Sequence, residues 1–171
     1  MVSLREQYPL EGIKPLKKTL GFTFLIIIIM LFATIFIVSM SSSGEVFGPN
    51  FKISPMLIIV LAISLAVLLI ILKYVYEVIY LKNYFYDNTK ETLIIKKGVF
   101  SINEITLPFT RIQDVYVDQD ILDRIFGLYD VHVSSATSIS GLLSHIDGLN
   151  KENSDKVRDL ILGKIKEYGK W

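Results

Sequence analysis

Aspartates and histidines are the residues of this chain that could do chemistry, and the densest acidic group lies at residues 114–123. Its members are Asp114, Asp118, Asp120 and Asp123. Calcium loops place carboxylates at alternate positions around a glycine turn. The spacing of 118 and 120 begins such a pattern, but two apolar residues follow and interrupt it. The group therefore predicts a solvated acidic face and no metal site.

The two histidines of the chain likewise give no clear sign of a metal or catalytic site. His132 has the opposite strand phase from its two valine neighbours, so it is expected to face solvent. His145 stands beside Asp147, which could pair with it. A metal site needs three or four ligands. The chain has no cysteine, which excludes disulfides and thiolate nucleophiles. The sequence predicts no catalytic residue, no metal and no cofactor.

A candidate partner-binding surface follows from alternation within residues 112–119. Asp114, Tyr116 and Asp118 share one face of the predicted strand, and Asp120 lies just beyond. One interpretation is a solubilising edge strand whose charges block unwanted strand pairing. The other is a docking face for a basic surface of another membrane protein, with the tyrosine as its aromatic anchor.

Two charge-free apolar segments occupy the first half of the chain. One runs from Thr19 to Gly44 and the other from about Pro55 to Leu72. About 20 apolar residues span the hydrocarbon core, and the apolar core of a cleaved signal peptide is only about 7–15 residues long. We expect two transmembrane helices within residues 19–82, joined by a short extracytoplasmic loop at about 41–54.

Basic residues predict the orientation of this hairpin. They flank its outer ends but supply only Lys52 to the loop: Arg5, Lys14, Lys17, Lys18, Lys73 and Lys82. Positive charge collects on the cytoplasmic side, so both termini should be cytoplasmic in a multi-pass protein of the plasma membrane. Residues 1–18 are then a cytoplasmic N-terminal segment.

Tyrosines follow the second apolar segment in quick succession. Because tyrosine combines an apolar ring with a polar tip, it favours the headgroup layer. We predict four membrane-interface anchors: Tyr74, Tyr76, Tyr80 and Tyr84. The second helix is expected to continue through the interface, where Glu77 could neutralise Lys73 one helical turn earlier.

Residues 83–171 predict a small α+β domain. Strand signals cover 84–86, 91–96, 99–107, 112–119 and 131–133, with a last short strand near 144–146. A phase shift within the third segment suggests a bulge near Asn103-Glu104. Ile121–Phe126 predicts a helical turn that ends at Gly127.

A helix is expected at the end of the chain. Asn150 suits its N-cap. Its apolar residues recur at helical spacing and predict a stripe that packs on the sheet: Val157, Leu160, Ile161, Ile165 and Tyr168.

Five short blocks occur in order between Tyr84 and Thr137: Gly98-Val99-Phe100, Leu107-Pro108, Arg111-Ile112-Gln113-Asp114-Val115, Arg124-Ile125-Phe126-Gly127-Leu128 and Val131-x-Val133. With a preceding pair of membrane helices, this series resembles the bacterial pleckstrin-homology-like domain of YdbS-like membrane proteins. The resemblance implies a transmembrane hairpin followed by a small PH-like β-barrel of seven strands, with a C-terminal helix across one opening. The resemblance implies no established catalytic residues.

These features predict a non-catalytic, membrane-anchored interaction module. Its expected partners are the lipid bilayer and another membrane protein or a second copy of the chain, with a lipid headgroup as a further ligand. Residues 83–171 carry eleven Lys and Arg against thirteen Asp and Glu, which argues against nucleic acid.

Two alternatives remain open. A small enzyme at the membrane surface would be favoured by a buried carboxylate or histidine with a perturbed pKa in a pocket, and the sequence predicts none. A subunit of a membrane transport complex would be favoured by ionisable residues within the apolar segments, and both segments lack them.

Overall fold

The computed structural model describes residues 2–43, 54–135 and 144–168. The chain forms two compact units. The helical unit is Lys18–Glu77, and the second unit, here called the sheet domain, combines Met1–Lys17 with Val78–Trp171. The sheet domain therefore includes the N-terminal segment, which the sequence had placed apart from residues 83–171.

Two long helices dominate the helical unit. Helix α2 spans Lys14–Ser43 and α3 spans Pro55–Asn83, after the short helix α1 at Leu4–Gln7. Both are long and apolar enough to cross a membrane, and their most apolar stretches bury none of their residues. The continuation of α3 beyond Leu72 is confirmed. The predicted loop falls largely at residues 44–53, outside the described part.

Polar groups within the helical unit are satisfied locally. The Thr23 hydroxyl donates to the Thr19 carbonyl at 2.8 Å, and the Thr34 hydroxyl donates to the Met30 carbonyl at 2.7 Å. Lys73 pairs with Glu77 at 2.6 Å, one turn later on the same helix. Such local partners suit a helix in lipid, where no water can satisfy a polar group.

The sheet domain contains two antiparallel three-stranded sheets. The first has the order β1 (Phe85–Asn88), β2 (Thr92–Lys97), β3 (Asn103–Pro108), and the second has the order β4 (Ile112–Asp118), β5 (Tyr129–Ser135), β6 (His145–Leu149). The closed seven-stranded barrel is therefore wrong for the described residues, which form six strands in two separate sheets. Pro108 ends β3, and the 3₁₀ turn Phe109–Arg111 carries the chain from one sheet to the other.

The segment 99–107 is shorter as a strand than its pattern predicts. Residues 99–102 form the connection after Gly98, whose φ of 138° suits glycine, and Phe100 there is 95% exposed. The register of β2 and β3 is regular through Asn103, so the predicted bulge is wrong. The phase shift marks the end of a loop. Register irregularities lie instead in the second sheet, between Ile112 and Asp114 in β4 and between Tyr129 and Asp130 in β5.

Two helices of the sheet domain were predicted correctly. Helix α4 spans Ile121–Phe126 and ends at Gly127, which adopts the left-handed conformation at φ 66°. Helix α5 spans Lys151–Tyr168 and is capped by the Asn150 side chain, which accepts from the Asn153 amide at 2.8 Å. Its predicted stripe packs on a core that both sheets share, with Val157 and Ile161 fully buried.

The N-terminal segment contributes to the same core. Ser3 and Glu6 form a capping box on α1, and both Leu4 and Leu10 are buried. The Leu4 amide donates to the Asp87 side chain at 3.0 Å. The segment is therefore a packed element of the sheet domain.

Candidate functional site

Two lysines of the N-terminal segment form ion pairs with aspartates that lie far along the chain in the same sheet domain. Lys14 Nζ lies 2.8 Å from Asp147 Oδ2 and 2.9 Å from the carbonyl oxygen of the same residue. Both side chains are almost fully buried. Lys17 pairs with Asp123 at 2.5 Å and with Asp120 at 3.0 Å. The sequence assigned these lysines to membrane orientation and did not anticipate their partners.

Gly148 and Tyr84 shape the path of the Lys14 side chain. A Cβ at position 148 would lie 2.6 Å from Lys14 Cδ, so glycine leaves room for the lysine there. Lys14 Nζ lies 4.3 Å from the centroid of the Tyr84 ring. Such a cation over an aromatic face is attracted by the ring quadrupole.

Tyr84 corrects one predicted interface anchor. Its side chain is 1% exposed, and its hydroxyl donates to the His145 carbonyl at 2.7 Å. Burial, and then the nearby Asp147 charge, raise the pKa of Tyr84 well above its ordinary value. Tyr84 is thus a core residue of the sheet domain, because its ring is buried there and its hydroxyl forms a hydrogen bond there.

The other three tyrosines keep more exposure. Tyr74 is exposed and Tyr76 is half-buried, with Lys73 Nζ 5.3 Å from the centroid of the Tyr76 ring. Tyr80 packs against the domain core and meets Tyr84 edge-on at 5.9 Å. Interface anchoring by these three residues stays a prediction.

Three predicted partner-binding residues lie together on β4. Asp114, Tyr116 and Asp118 are all exposed, and the tyrosine is 46% exposed. Strand β4 is an edge of its sheet in the described part of the chain, since it pairs only with β5 there. This arrangement fits both interpretations of the acidic face, and partner binding stays a prediction.

Asp120 and Asp123 have structural roles that the sequence analysis missed. Asp120 caps α4 by accepting from the Asp123 amide at 2.6 Å, and it also pairs with Lys17. Asp123 is 1% exposed. The solvated face therefore excludes Asp123, and a substitution at Asp120 would remove a cap and an ion pair as well as a surface charge.

One face of the second sheet carries two rows of polar side chains. Tyr116, His132 and His145 are cross-strand partners in the first row, and Asp118, Asp130 and Asp147 are partners in the second. We call these six residues the His–Asp face. The His132 ring is stacked on Tyr116 at 4.9 Å, and the His145 ring lies 5.4 Å from it. His132 is therefore held between neighbours and is only partly solvated.

Asp130 is a partly buried carboxylate with a perturbed pKa, the kind of group that would favour an enzyme if it lay in a pocket. Burial, and then the Asp147 charge, raise the pKa of Asp130 to about 6. Its carboxylate accepts from the Gly148 amide at 2.7 Å, and this bond opposes the rise. Perturbed carboxylates occur in active sites but also in structural ion-pair networks. Asp130 lies beside such a network, which includes Asp123 and Lys17.

Asp130→Asn is expected to stabilise the protein above about pH 6. Folded Asp130 holds its proton at pH values where the unfolded carboxyl, with a pKa near 3.8, has lost it. The free energy of unfolding therefore falls as pH rises from about 4 to about 6, and asparagine removes this loss, which is about 3 kcal/mol. Thermal unfolding in detergent with a chelator, at about pH 4.5 and about pH 7, measures the effect.

The exposed Asp114 provides the control for this experiment. Asp114→Asn replaces an exposed carboxylate and should change the free energy of unfolding by no more than about 0.5 kcal/mol at either pH, as surface substitutions usually do. Equal pH dependence in wild type and Asp130→Asn would show that Asp130 does not titrate as described.

Exposed apolar side chains form a further feature that the sequence analysis missed. Ile121 and Ile125 on α4 are 80% and 68% exposed. Their spacing of four residues places them on one face of the helix. The signal was present in the sequence, since apolar residues in so short a helix cannot all face a core.

Comparison with known protein families identifies a match that covers most of the chain. The bacterial PH domain family matches residues 16–165, a range that includes both sheets and nearly all of the two long helices. No curated protein matches the chain. No solved structure matches it either. Because the match covers most of the sequence, the chain belongs to the bacterial PH domain family.

Proposed function

We propose that this protein is a membrane-anchored interaction module, in which two transmembrane helices hold a PH-like domain at the cytoplasmic face of the plasma membrane. The observation that carries the proposal is that the sheet domain contains both flanks of the helical hairpin, Met1–Lys17 and Val78–Trp171. A chain that leaves a domain, crosses the bilayer twice and returns to it has both flanks on one side of the membrane. Tethering then raises the domain's effective concentration for neighbouring membrane proteins.

The cytoplasmic orientation is supported by charge. Lys18 and Lys73 flank the hairpin in addition to the basic residues of the sheet domain, which include Lys82, while Lys52 alone lies in the predicted loop. Positive residues near the ends of membrane helices favour the cytoplasmic side. The same distribution supports a multi-pass protein whose termini are both cytoplasmic.

The docking surface of the proposal is the exposed edge of β4 together with the outer face of α4. Asp114 and Tyr116 supply charge and an aromatic ring, and Ile121 and Ile125 supply apolar area beside Asp120. The occupant that fits is a basic cytoplasmic segment of another membrane protein, since aromatic anchors supply affinity and complementary charge supplies steering.

The charge balance supports a protein partner over an anionic lipid. The sheet domain carries fifteen Lys and Arg and fifteen Asp and Glu. Lys14 and Lys17 are engaged in ion pairs within it. Recognition of anionic lipids relies on clusters of about 4–8 basic residues. The exposed edge of β4 is acidic, so its charge is opposite in sign to that of such a basic cluster.

Photo-crosslinking in living cells tests this function. Benzoylphenylalanine in place of Tyr116 keeps an aromatic ring at the docking surface, and the same residue in place of the exposed Thr89 is the matched control. We expect an adduct with a basic membrane protein at position 116, and Asp114→Lys should lower its yield about fivefold or more.

Each other outcome overturns the proposal. Equal adducts at 89 and 116, or an adduct insensitive to Asp114→Lys, would place the partner site elsewhere. Capture of lipid would assign a lipid ligand, and capture of a second copy of the chain would assign self-association. Asp118 and Asp120 are left unchanged, because Asp118 contacts His132 and Asp120 caps α4.

A further inference from the structure

The His–Asp face brings together three possible ligand groups from two strands. Asp118 lies on β4, and Asp130 and His132 lie two residues apart on β5, so all three project from the same side of the sheet. One ligand atom from each lies within 4.8 Å of the other two. His132 Nε2 is 3.4 Å from Asp118 Oδ1.

The His132–Asp118 separation matches the demands of a small divalent ion. Two ligands bound at about 2.1 Å in tetrahedral directions lie about 3.4 Å from each other. Imidazole together with carboxylate suits zinc and related transition metals, whereas calcium takes six to eight oxygen ligands. We propose that Asp118, Asp130 and His132 bind one divalent transition-metal ion, with Zn²⁺ as the best match.

The neighbouring groups hold two of the ligands in place. The His132 ring is stacked on Tyr116 with an angle of 5° between the ring planes. The Asp130 carboxylate accepts from the Gly148 amide at 2.7 Å. Such contacts orient ligands before the metal arrives, and this lowers the cost of ordering them.

The site is compatible with an open coordination position. Three protein ligands leave the fourth tetrahedral direction for water or for a group from a partner. Asp118 is the exposed member of the set, so the ion would be reached from the solvent side of the sheet. The three ligands are distinct from Asp114, which is therefore available as a control.

The test is calorimetric titration of the full-length protein with Zn²⁺ in mild detergent. We expect one ion per chain. Asp118→Asn, Asp130→Asn and His132→Gln should each weaken binding at least about tenfold, because each removes one of three ligands. Asp114→Asn, a carboxylate on the same face of β4, should bind as the wild type does.

The absorption spectrum of bound Co²⁺ distinguishes metal binding from a purely structural role of the three side chains. Co²⁺ should show the intense visible absorption of a four-coordinate ion in the wild type, and this absorption should be lost in His132→Gln. Circular dichroism and melting in chelator identify any variant that fails to fold, and His132→Ala then replaces His132→Gln.

Two results would overturn the proposal. Zinc affinity that is unchanged in His132→Gln would leave the His132–Asp118 contact as an ordinary surface ion pair. An equal loss of affinity in Asp114→Asn would show diffuse binding to surface carboxylates. Neither result bears on the photo-crosslinking experiment, which replaces none of the three ligands.

Discussion

Lys14→Met is expected to lower the free energy of unfolding by about 3–5 kcal/mol, because Asp147 would keep a buried charge without its cation. The lysine ammonium is 2.8 Å from the carboxylate, and the two side chains are 3% and 4% exposed. Protonation of Asp147 would neutralise this buried charge. It costs about 1.4 kcal/mol for each pH unit above an ordinary carboxyl pKa of about 3.9, hence about 4 kcal/mol at pH 7. Thermal unfolding of the full-length protein in detergent measures the loss.

The same reasoning gives the experiment a second, sharper readout. Protonation becomes cheaper at low pH, so the deficit of Lys14→Met should shrink as pH falls toward about 5. Adding Asp147→Asn to Lys14→Met should restore most of the stability, since no buried charge remains. The exposed Lys90 is the control, and Lys90→Met should change little. If the double variant is as unstable as the single one, lost packing explains the effect.

This ion pair changes how the chain should be divided for experiments. A fragment that begins at Asn83 lacks Leu4 and Leu10 from the core, and it lacks the cations that face Asp123 and Asp147. The sequence suggested such a fragment as an independent domain. Because a buried carboxylate without its cation is costly, we now expect residues 2–17 to be needed for stability.

The features that the sequence predicted well are those determined within a few residues. The turn of helix at Ile121–Phe126 carries its own stop signal at Gly127. The alternation in β4 placed Asp114, Tyr116 and Asp118 on one face, and all three are exposed. The stripe on α5 follows from helical spacing alone. Each of these patterns can be recognised without knowledge of any distant partner.

The features that the sequence missed depend on distant partners. Lys14 and Asp147 are separated by most of the chain, and nothing near either residue signals their contact. A lysine before an apolar helix has the same pattern whether it faces headgroups or a buried carboxylate. The His–Asp face likewise depends on the register of three strands, which brings His132 between Tyr116 and His145. Loop residues such as Phe100 were misassigned because short apolar runs fit strands and loops alike.

Ile161→Asp is expected to abolish the folded sheet domain. Ile161 is fully buried in the core contact of α5. The substitution forfeits about 1.5–3 kcal/mol of apolar burial. It also buries a carboxylate without a partner, and the sum approaches the whole stability of a small domain, which is about 5–15 kcal/mol. Loss of the β signal in circular dichroism, with the long helices retained in detergent, is the measurement.

The neighbouring residue provides a matched control. Leu162 is 37% exposed on the same helix, so Leu162→Asp places the same charge one position away, where water can solvate it. It should cost about 1 kcal/mol or less, as surface substitutions usually do. Ile161→Val, which removes one buried methylene, should cost about 0.5–1.5 kcal/mol and leave a folded domain whose stability can be measured. If Ile161→Asp and Leu162→Asp unfold the domain equally, then α5 does not close the core through its predicted stripe. If neither substitution has an effect, the two sheets are stable without this helix.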